Sequence, residues 1–197
     1  MTAGNKGLVE LWDIRTSKVK NVYTINTGPI VYGAKFYDEG KSILLGLNNG
    51  NAMILNNKLE IVKEWQICSQ PIRSIEVADN ICFYGLKGGC IKLDYLKPVS
   101  RQTFQTESSL TKLFGSDQNL IQAHKDNVNT MAYSKKKDTL ITGSRDGSVH
   151  FFDVNNNMEF IGNGVGLIDQ ISAISVDPKE ELVAVSSWDQ TIAVYSL

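Results

Sequence analysis

The sequence predicts an all-β fold made of several small antiparallel sheets, and three observations support this fold class. Apolar and polar residues alternate over short stretches, as in strands with one buried face. Clusters rich in glycine, aspartate and asparagine separate these stretches. A glycine-centred turn also recurs along most of the 197 residues. Because one such sheet cannot bury both faces, we expect the sheets to pack against one another.

The stretch from His124 to Asp153 shows this pattern most completely. Three strands are predicted there, and their apolar markers are Val128, Met131 and Tyr133, then Leu140 and Ile141, then Val149, Phe151 and Phe152. The second turn contains Asp146-Gly147, and glycine tolerates the positive φ that tight hairpins require. We therefore predict a three-stranded meander over this stretch.

Five copies of the second turn align in one column, at intervals of 43, 39, 58 and 43 residues: Gly7, Gly50, Gly89, Gly147 and Gln190. Small residues stand four positions earlier in every copy: Ala3, Gly46, Gly85, Gly143 and Ser186. The strand ahead of the turn is predicted to start at four residues: Val31, Ile72, Val128 and Ile171. Outer edge strands are predicted around residues 19–25, 59–65 and 158–161. The period matches four-stranded propeller blades of about 40–45 residues.

The stretch from His124 to Asp153 resembles a WD40 repeat. His124 precedes the first strand, Thr142-Gly143-Ser144 leads to the turn Asp146, and Phe152-Asp153 stands where the family usually has Trp-Asp. The resemblance covers nearly the whole chain and implies a WD40-like β-propeller with about four to five blades in an incomplete ring. The implied blades are approximately residues 1–26 (partial), 27–69, 70–122 with an insertion, 123–166 and 167–197. We expect missing N-terminal sequence or another chain to supply the remaining blades, and the chain alone to be poorly soluble or to self-associate.

Composition and charge narrow the classes of partner. Hydrophobic residues make up 42% and charged residues 21% of the chain, as in ordinary soluble proteins. A net charge of -1 does not indicate a nucleic-acid or anionic-membrane partner. The sequence has neither an apolar run of the roughly 20 residues that span a bilayer nor a signal-peptide core. Three cysteines without CxxC spacing favour a reducing compartment, so we expect a cytoplasmic or nuclear protein.

The candidates for catalysis and metal binding have simpler interpretations. His124, Thr142 and Asp146 form a possible hydroxyl/His/Asp relay, but the resemblance to WD40 blades implies a structural hydrogen-bond set, which we favour. Cys82 and Cys90 could approach each other across neighbouring strands, yet no further ligand stands at metal-binding spacing, and buried thiols are favoured. The Gly162–Gly166 segment lacks phosphate-loop spacing and is interpreted as a turn. We therefore predict no catalytic residue, no metal and no cofactor.

The resemblance also indicates a binding surface. In WD40 proteins the residue before the turn Asp faces the narrow top of the ring, where peptides commonly dock. The matching residues here are Asn5, Asn48, Lys87, Arg145 and Trp188. An exposed tryptophan beside an arginine suits a binding hot spot, although Trp188 could instead lie between blades. The excursion over residues 95–122 is interpreted as a surface loop or a partner-specific contact.

The family resemblance implies a non-catalytic scaffold that binds proteins or peptides within a multi-subunit intracellular complex. One alternative is an RNA-associated subunit of a processing complex, which depends on the lysine cluster Lys135–Lys137. A less favoured alternative is a ligand-binding or enzymatic propeller. The expected central columns hold small and apolar residues rather than acids or metal ligands, so we predict that the protein is not an enzyme.

Overall fold

A computed structural model describes residues 1–3, 7–25, 29–96 and 119–197 of the chain. The described residues form five antiparallel sheets of three or four strands, so the predicted all-β class is confirmed. Their one helical element is a short 3-10 turn at Asp38–Gly40. No helix in these ranges has the length and apolarity needed to cross a bilayer.

The chain divides into two compact units, Met1–Ile75 and Glu76–Leu197, and the boundary falls inside the eighth strand. The strands up to this boundary are β1 (Thr2–Ala3), β2 (Leu8–Asp13), β3 (Lys18–Thr24), β4 (Val31–Tyr37), β5 (Ser42–Leu47), β6 (Asn51–Asn56), β7 (Ile61–Gln66) and β8 (Ile72–Ala78). The strands after it are β9 (Ile81–Leu86), β10 (Cys90–Tyr95), β11 (Leu120–Gln122), β12 (Val128–Ser134), β13 (Thr139–Ser144), β14 (Val149–Asp153), β15 (Glu159–Gly164), β16 (Ile171–Val176), β17 (Leu182–Ser187) and β18 (Ile192–Ser196).

Each sheet is a simple antiparallel meander in chain order. The sheets contain β1–β3, β4–β7, β8–β11, β12–β15 and β16–β18. Strands β4, β8, β12 and β16 begin at the predicted residues, which confirms the period-two patterns used to find them. The outer strands β3, β7 and β15 lie where mixed charge predicted edge strands.

The hydrophobic cores lie between consecutive sheets within each unit. In the first unit, a core between the sheets β1–β3 and β4–β7 includes Val9, Val31 and Leu45. In the second unit, Phe83 and Leu140 belong to a core between the sheets β8–β11 and β12–β15. A further core between β12–β15 and β16–β18 is built from five buried residues: Ile141, Val149, Ile171, Val183 and Val185. Each sheet thus buries an apolar face against the next sheet, so the apolar pattern of the strands recurs once per sheet along the sequence.

Two recurring glycine columns allow this close stacking. A Cβ atom on Gly143 would lie 2.4 Å from Cγ2 of Ile171, the first residue of the next sheet. Within the first unit, a Cβ on Gly46 would lie 2.5 Å from Cγ2 of Ile72. The turn glycine Gly89 has a φ of +87°, and a Cβ there would lie 2.0 Å from the backbone oxygen of His124. Glycine is therefore required where one sheet meets the next.

Two sequence-based expectations about the second unit need correction. Residues 162–164 are not a turn, because β15 continues to Gly164, whose backbone pairs with Val149. A side chain at Gly164 would meet the ring of Tyr195 at 2.9 Å, which accounts for a glycine within a strand. Strand β11 was not predicted, because three residues are too few to show alternation. Most of the expected excursion over 95–122, residues 97–118, lies outside the described residues.

Candidate functional site

Three of the predicted binding residues lie along one edge of the second unit. Lys87, Arg145 and Trp188 each occupy the turn between the second and third strands of their sheets. Neighbouring turns are joined through Asn127, whose side-chain oxygen accepts the Gly88 N–H at 3.3 Å and whose backbone oxygen accepts the Arg145 N–H at 2.9 Å. We call this row of three turns the turn edge.

Trp188 is the most exposed large side chain of the turn edge. Its backbone N–H donates to the Gln170 oxygen at 3.0 Å, so the hairpin is fixed, while 66% of the residue remains exposed. Arg145 is also exposed, and its Nε lies 3.7 Å from Oδ2 of Asp126. Lys87 is exposed as well. A rigid backbone with a large exposed aromatic ring is the arrangement expected of a contact residue.

The remaining two predicted binding residues differ from this set. Asn48 belongs to the first unit and is half-buried; its side-chain oxygen accepts the Ile30 N–H at 3.0 Å. That hydrogen bond fixes the turn and engages the side-chain oxygen of Asn48, which a partner would otherwise contact. Asn5 lies outside the described residues.

His124, Thr142 and Asp146 meet in a hydrogen-bonded relay that also includes Ser148. Nε2 of His124 lies 2.8 Å from the Thr142 hydroxyl, and Nδ1 lies 2.6 Å from the Ser148 hydroxyl. Ser148 in turn donates to Oδ1 of Asp146, which is 3.8 Å from His124 Nδ1. The backbone N–H of Lys125 donates to the other Asp146 oxygen at 2.7 Å. The relay therefore links the segment ahead of β12 to the turn between β13 and β14.

The chemistry of the acceptors fixes the direction of the relay. A carboxylate only accepts, so Ser148 donates to Asp146 and accepts from Nδ1–H of His124, which leaves Nε2 to accept from Thr142. Burial and the neighbouring His150 ring, stacked at 4.2 Å, lower the pKa of His124 to about 4, although Asp146 opposes the shift. Burial raises the pKa of Asp146, but hydrogen bonds from Ser148 and Lys125 outweigh this and lower it to about 2. The imidazole is thus neutral and the carboxylate ionised near pH 7.

This geometry suits a structural role better than a catalytic one. Thr142, which holds the place of a nucleophile beside His124, has an exposed fraction of 0%. A substrate therefore has no access to its hydroxyl group. Sequence reasoning missed Ser148, but a signal was available: a hydroxyl residue follows the turn aspartate by two positions in both late repeats, as Ser148 and as Thr191.

The sheet β16–β18 keeps the turn aspartate without the imidazole. Leu167 and Val185 take the places of His124 and Thr142, and both pack in the core beside Ile141. Asp189 accepts hydrogen bonds from the Ile168 N–H at 2.8 Å and from Thr191, as Asp146 does from Lys125 and Ser148. The two positions that hold His124 and Thr142 in the sheet β12–β15 are thus polar, whereas the equivalent positions of β16–β18 are apolar.

Comparison with known proteins identifies the repeats. The model of the family "WD domain, G-beta repeat" matches residues 115–153 and 165–196. These two segments of the chain are similar to WD40 repeats. These two matches include strands β11–β14 and β16–β18, and with the five sheets they confirm the predicted WD40-like propeller fold class. The WD40 subfamily is not identified by this match.

The likeness to solved structures concerns the fold alone. The computationally designed Ika8 protein aligns with a TM-score of 0.70 at 16% identity, covering 99% of this chain and 54% of that chain. The computationally designed Ika4 protein aligns with a TM-score of 0.64 at 16% identity, covering 85% of this chain and 91% of that one. The chain thus spans about half the length of Ika8. No curated protein matches it.

The other chemical candidates do not come together in the sheets that the structure describes. Strand pairing sets Cys82 opposite Asp94 and Cys90 opposite Gln122, so the thiols are four residues, or about 13 Å, apart along the sheet. The expectation that they could approach each other is wrong. Burial raises the pKa of the Cys82 thiol, which disfavours a thiolate ligand. In the described ranges, no cluster of three or more His, Cys, Asp or Glu side chains has metal-binding geometry.

Proposed function

We propose that the protein is a non-catalytic scaffold that binds other proteins or peptides through the turn edge, as a subunit of an intracellular complex. WD40 repeats generally mediate protein–protein interactions. The observation that carries the proposal is the large exposed ring of Trp188 on a backbone fixed by hydrogen bonds. Preorganised aromatic and arginine side chains contribute most of the binding energy in many interfaces.

The lysine cluster gives little support to the RNA-associated alternative. Lys135 Nζ lies 2.6 Å from Oδ1 of Asp79, and Lys136 Nζ lies 3.7 Å from Oε1 of Glu181. Because neighbouring hairpins supply carboxylates to two of the three lysines, the local positive potential is reduced. Phosphate binding depends on such potential, so the turn edge is the better candidate surface.

The proposal is tested by quantitative affinity purification with single substitutions. We expect Arg145→Ala and Trp188→Ala to remove the same specific proteins from the purified set, by about tenfold or more for Trp188→Ala. Lys137→Ala is the matched control, because Lys137 is exposed at the opposite end of the sheet β12–β15. The proposal fails if every co-purifying protein is retained equally by the original chain, both turn-edge variants and the control.

The proposed location is the cytoplasm or the nucleus. The chain has three cysteines without CxxC spacing, and Cys82 is a buried free thiol, as is usual in a reducing compartment. Tagging the protein and locating it by microscopy, with thiol labelling of the native protein, tests this. Secretion, or recovery of the protein with its cysteines oxidised, would contradict the proposed location.

A further inference from the structure

The turns at Arg145 and Trp188 have the same backbone framework. The N–H of Arg145 donates to the Asn127 oxygen at 2.9 Å, and the N–H of Trp188 donates to the Gln170 oxygen at 3.0 Å. Next to these bonds, the Ser144 hydroxyl donates to the Asp126 oxygen at 3.0 Å, and the Ser187 hydroxyl donates to the Asp169 oxygen at 2.9 Å. Asp126 and Asp169 are therefore placed equivalently beside Arg145 and Trp188.

The two carboxylates also have the same orientation. Oδ1 of Asp126 accepts the Asn127 N–H at 2.7 Å, and Oδ1 of Asp169 accepts the Gln170 N–H at 2.6 Å. In the first turn, Oδ2 of Asp126 faces Nε of Arg145 at 3.7 Å. The equivalent Oδ2 of Asp169 therefore faces the region beside Trp188.

The second turn lacks the cation that the first turn contains. Trp188 replaces Arg145, and among the described residues no lysine or arginine forms an ion pair with Asp169. Asp169 is exposed, and Ile168, 89% exposed, precedes it. The N–H of Ile168 donates to Oδ2 of Asp189, the residue after Trp188, so the backbones of Ile168 and Trp188 are close together.

We propose that the turn formed by Asp169 and Trp188 binds an arginine side chain of a protein partner. The guanidinium group pairs with Oδ2 of Asp169, as Arg145 does with Asp126, and stacks on the indole ring of Trp188. Arginine fits better than lysine because its planar group can stack and pair at once. The methylene stem packs on Ile168. This inference rests on the proposed scaffold function and names the chemistry of its partner.

The test uses random 12-residue peptides displayed on phage and selected on the full chain. We expect the selected peptides to share an arginine, and replacement of that arginine by citrulline, a neutral analogue, to weaken binding about tenfold. Replacement by lysine should weaken binding less. Asp169→Asn should reduce affinity about three- to tenfold and Trp188→Ala about tenfold or more. Affinity should also fall as salt concentration rises.

Two further variants make the result specific. Trp188→Arg recreates the arrangement of Arg145 and Asp126, so it should fill the site from within and abolish peptide binding while thermal unfolding is unchanged. Glu181→Gln removes an equal charge at the other end of the same sheet and should leave binding intact, since its carboxylate lies 3.7 Å from the exposed Lys136, away from the turn edge.

The outcomes separate this inference from the scaffold proposal. Peptides whose binding is unaffected by citrulline or by Asp169→Asn would overturn the arginine site. If such peptides still depend on Arg145 or Lys87, the turn edge remains a binding surface. If selection yields no peptide that depends on any turn-edge residue, and affinity purification yields no such protein, both proposals fail.

Discussion

At the residue scale, the relay around His124 makes stability depend on acidity. An unfolded histidine titrates near pH 6.5, whereas the pKa of folded His124 is about 4, so the unfolded chain takes up the proton first. This contribution to stability is complete above about pH 6.5 and is lost as the pH falls towards 4. Between pH 7.5 and pH 4.5 we expect the free energy of unfolding to fall by about 2–3 kcal/mol from this group, measured by urea unfolding.

The variant His124→Gln isolates the effect, because glutamine can donate and accept hydrogen bonds but does not titrate. Asp146 stays ionised throughout this range, since its pKa is about 2. We therefore expect the variant to be less stable at pH 7.5 and to show a flatter pH dependence. Parallel pH profiles for the two proteins would contradict the assigned role of His124.

Gln190 provides a second prediction at this scale. Its φ is 71°, in the left-handed region, where the equivalent residue of the preceding sheet is Gly147 with a φ of 86°. A residue with a side chain is strained by about 1 kcal/mol in this conformation. Glycine avoids this strain, but part of the gain is offset because glycine loses more conformational entropy on folding. Gln190→Gly should raise the free energy of unfolding by about 0.5–1 kcal/mol in chemical denaturation. Gln190→Ala, which keeps the β-carbon, should give no gain.

Single residues also show where prediction from sequence stops. The resemblance proposed His124, Thr142 and Asp146 as one set, and the structure places them in one relay. Ser148 lies between the histidine and the aspartate. The sequence shows that a hydroxyl residue recurs two positions after the turn aspartate, but only the structure shows that this hydroxyl contacts the imidazole. Trp188 could have packed between sheets or faced solvent, and only the fold shows that it is exposed.

At the scale of elements, the Gly143 column controls how closely sheets approach. Gly143→Ala would set a Cβ atom 2.4 Å from Cγ2 of Ile171, so we expect a loss of about 1–3 kcal/mol in unfolding free energy. Gly162→Ala is the control within the same sheet, since a Cβ there meets nothing within 4 Å. Chemical denaturation of both variants gives the comparison.

A double substitution tests the cause. Ile171→Ala removes the clashing Cγ2 atom, so its cost and that of Gly143→Ala should not add: the double variant should be more stable than the sum predicts. Additive losses would show that the destabilisation comes from another source.

The strands differ in how well sequence predicts them. Strands such as β12 and β16 are long enough to show alternation, and this alternation predicts where they start. Strand β11 has three residues and pairs with β10, so tertiary pairing rather than local pattern defines it. Gly164 was interpreted as a turn residue because the reason for a glycine there is the ring of Tyr195, which is distant in sequence.

At the scale of the whole molecule, one face of the last sheet remains uncovered within the second unit. Cross-strand pairing puts Ala184 with Val194 and Ser186 with Ile192 on the face opposite the core residues Val183 and Val185. Ile192 and Val194 are 72% and 60% exposed. Exposed apolar patches of this kind promote association. This observation supports the expectation from sequence that the isolated chain self-associates.

Charged substitutions on this face should reduce that association. We expect Ile192→Lys with Val194→Lys to lower the average mass measured by sedimentation velocity at increasing protein concentration, because a charge resists burial. Asn163→Lys, on exposed β15, adds charge elsewhere and should have little effect. If the double variant and the control associate as strongly as the original chain, this face is not the cause.

The last two sheets differ at the positions of His124 and Thr142, which are Leu167 and Val185 in β16–β18, and this difference affects how they respond to temperature and acid. Hydrophobic contacts, such as those of Leu167 and Val185, weaken on cooling, whereas the relay of His124 is sensitive to protonation. Cold should therefore weaken the contacts between the sheets β12–β15 and β16–β18, and acid should weaken the relay within β12–β15. Cold and acid would then act at different places in these two neighbouring sheets, so a partner bound across both sheets would be released by either change.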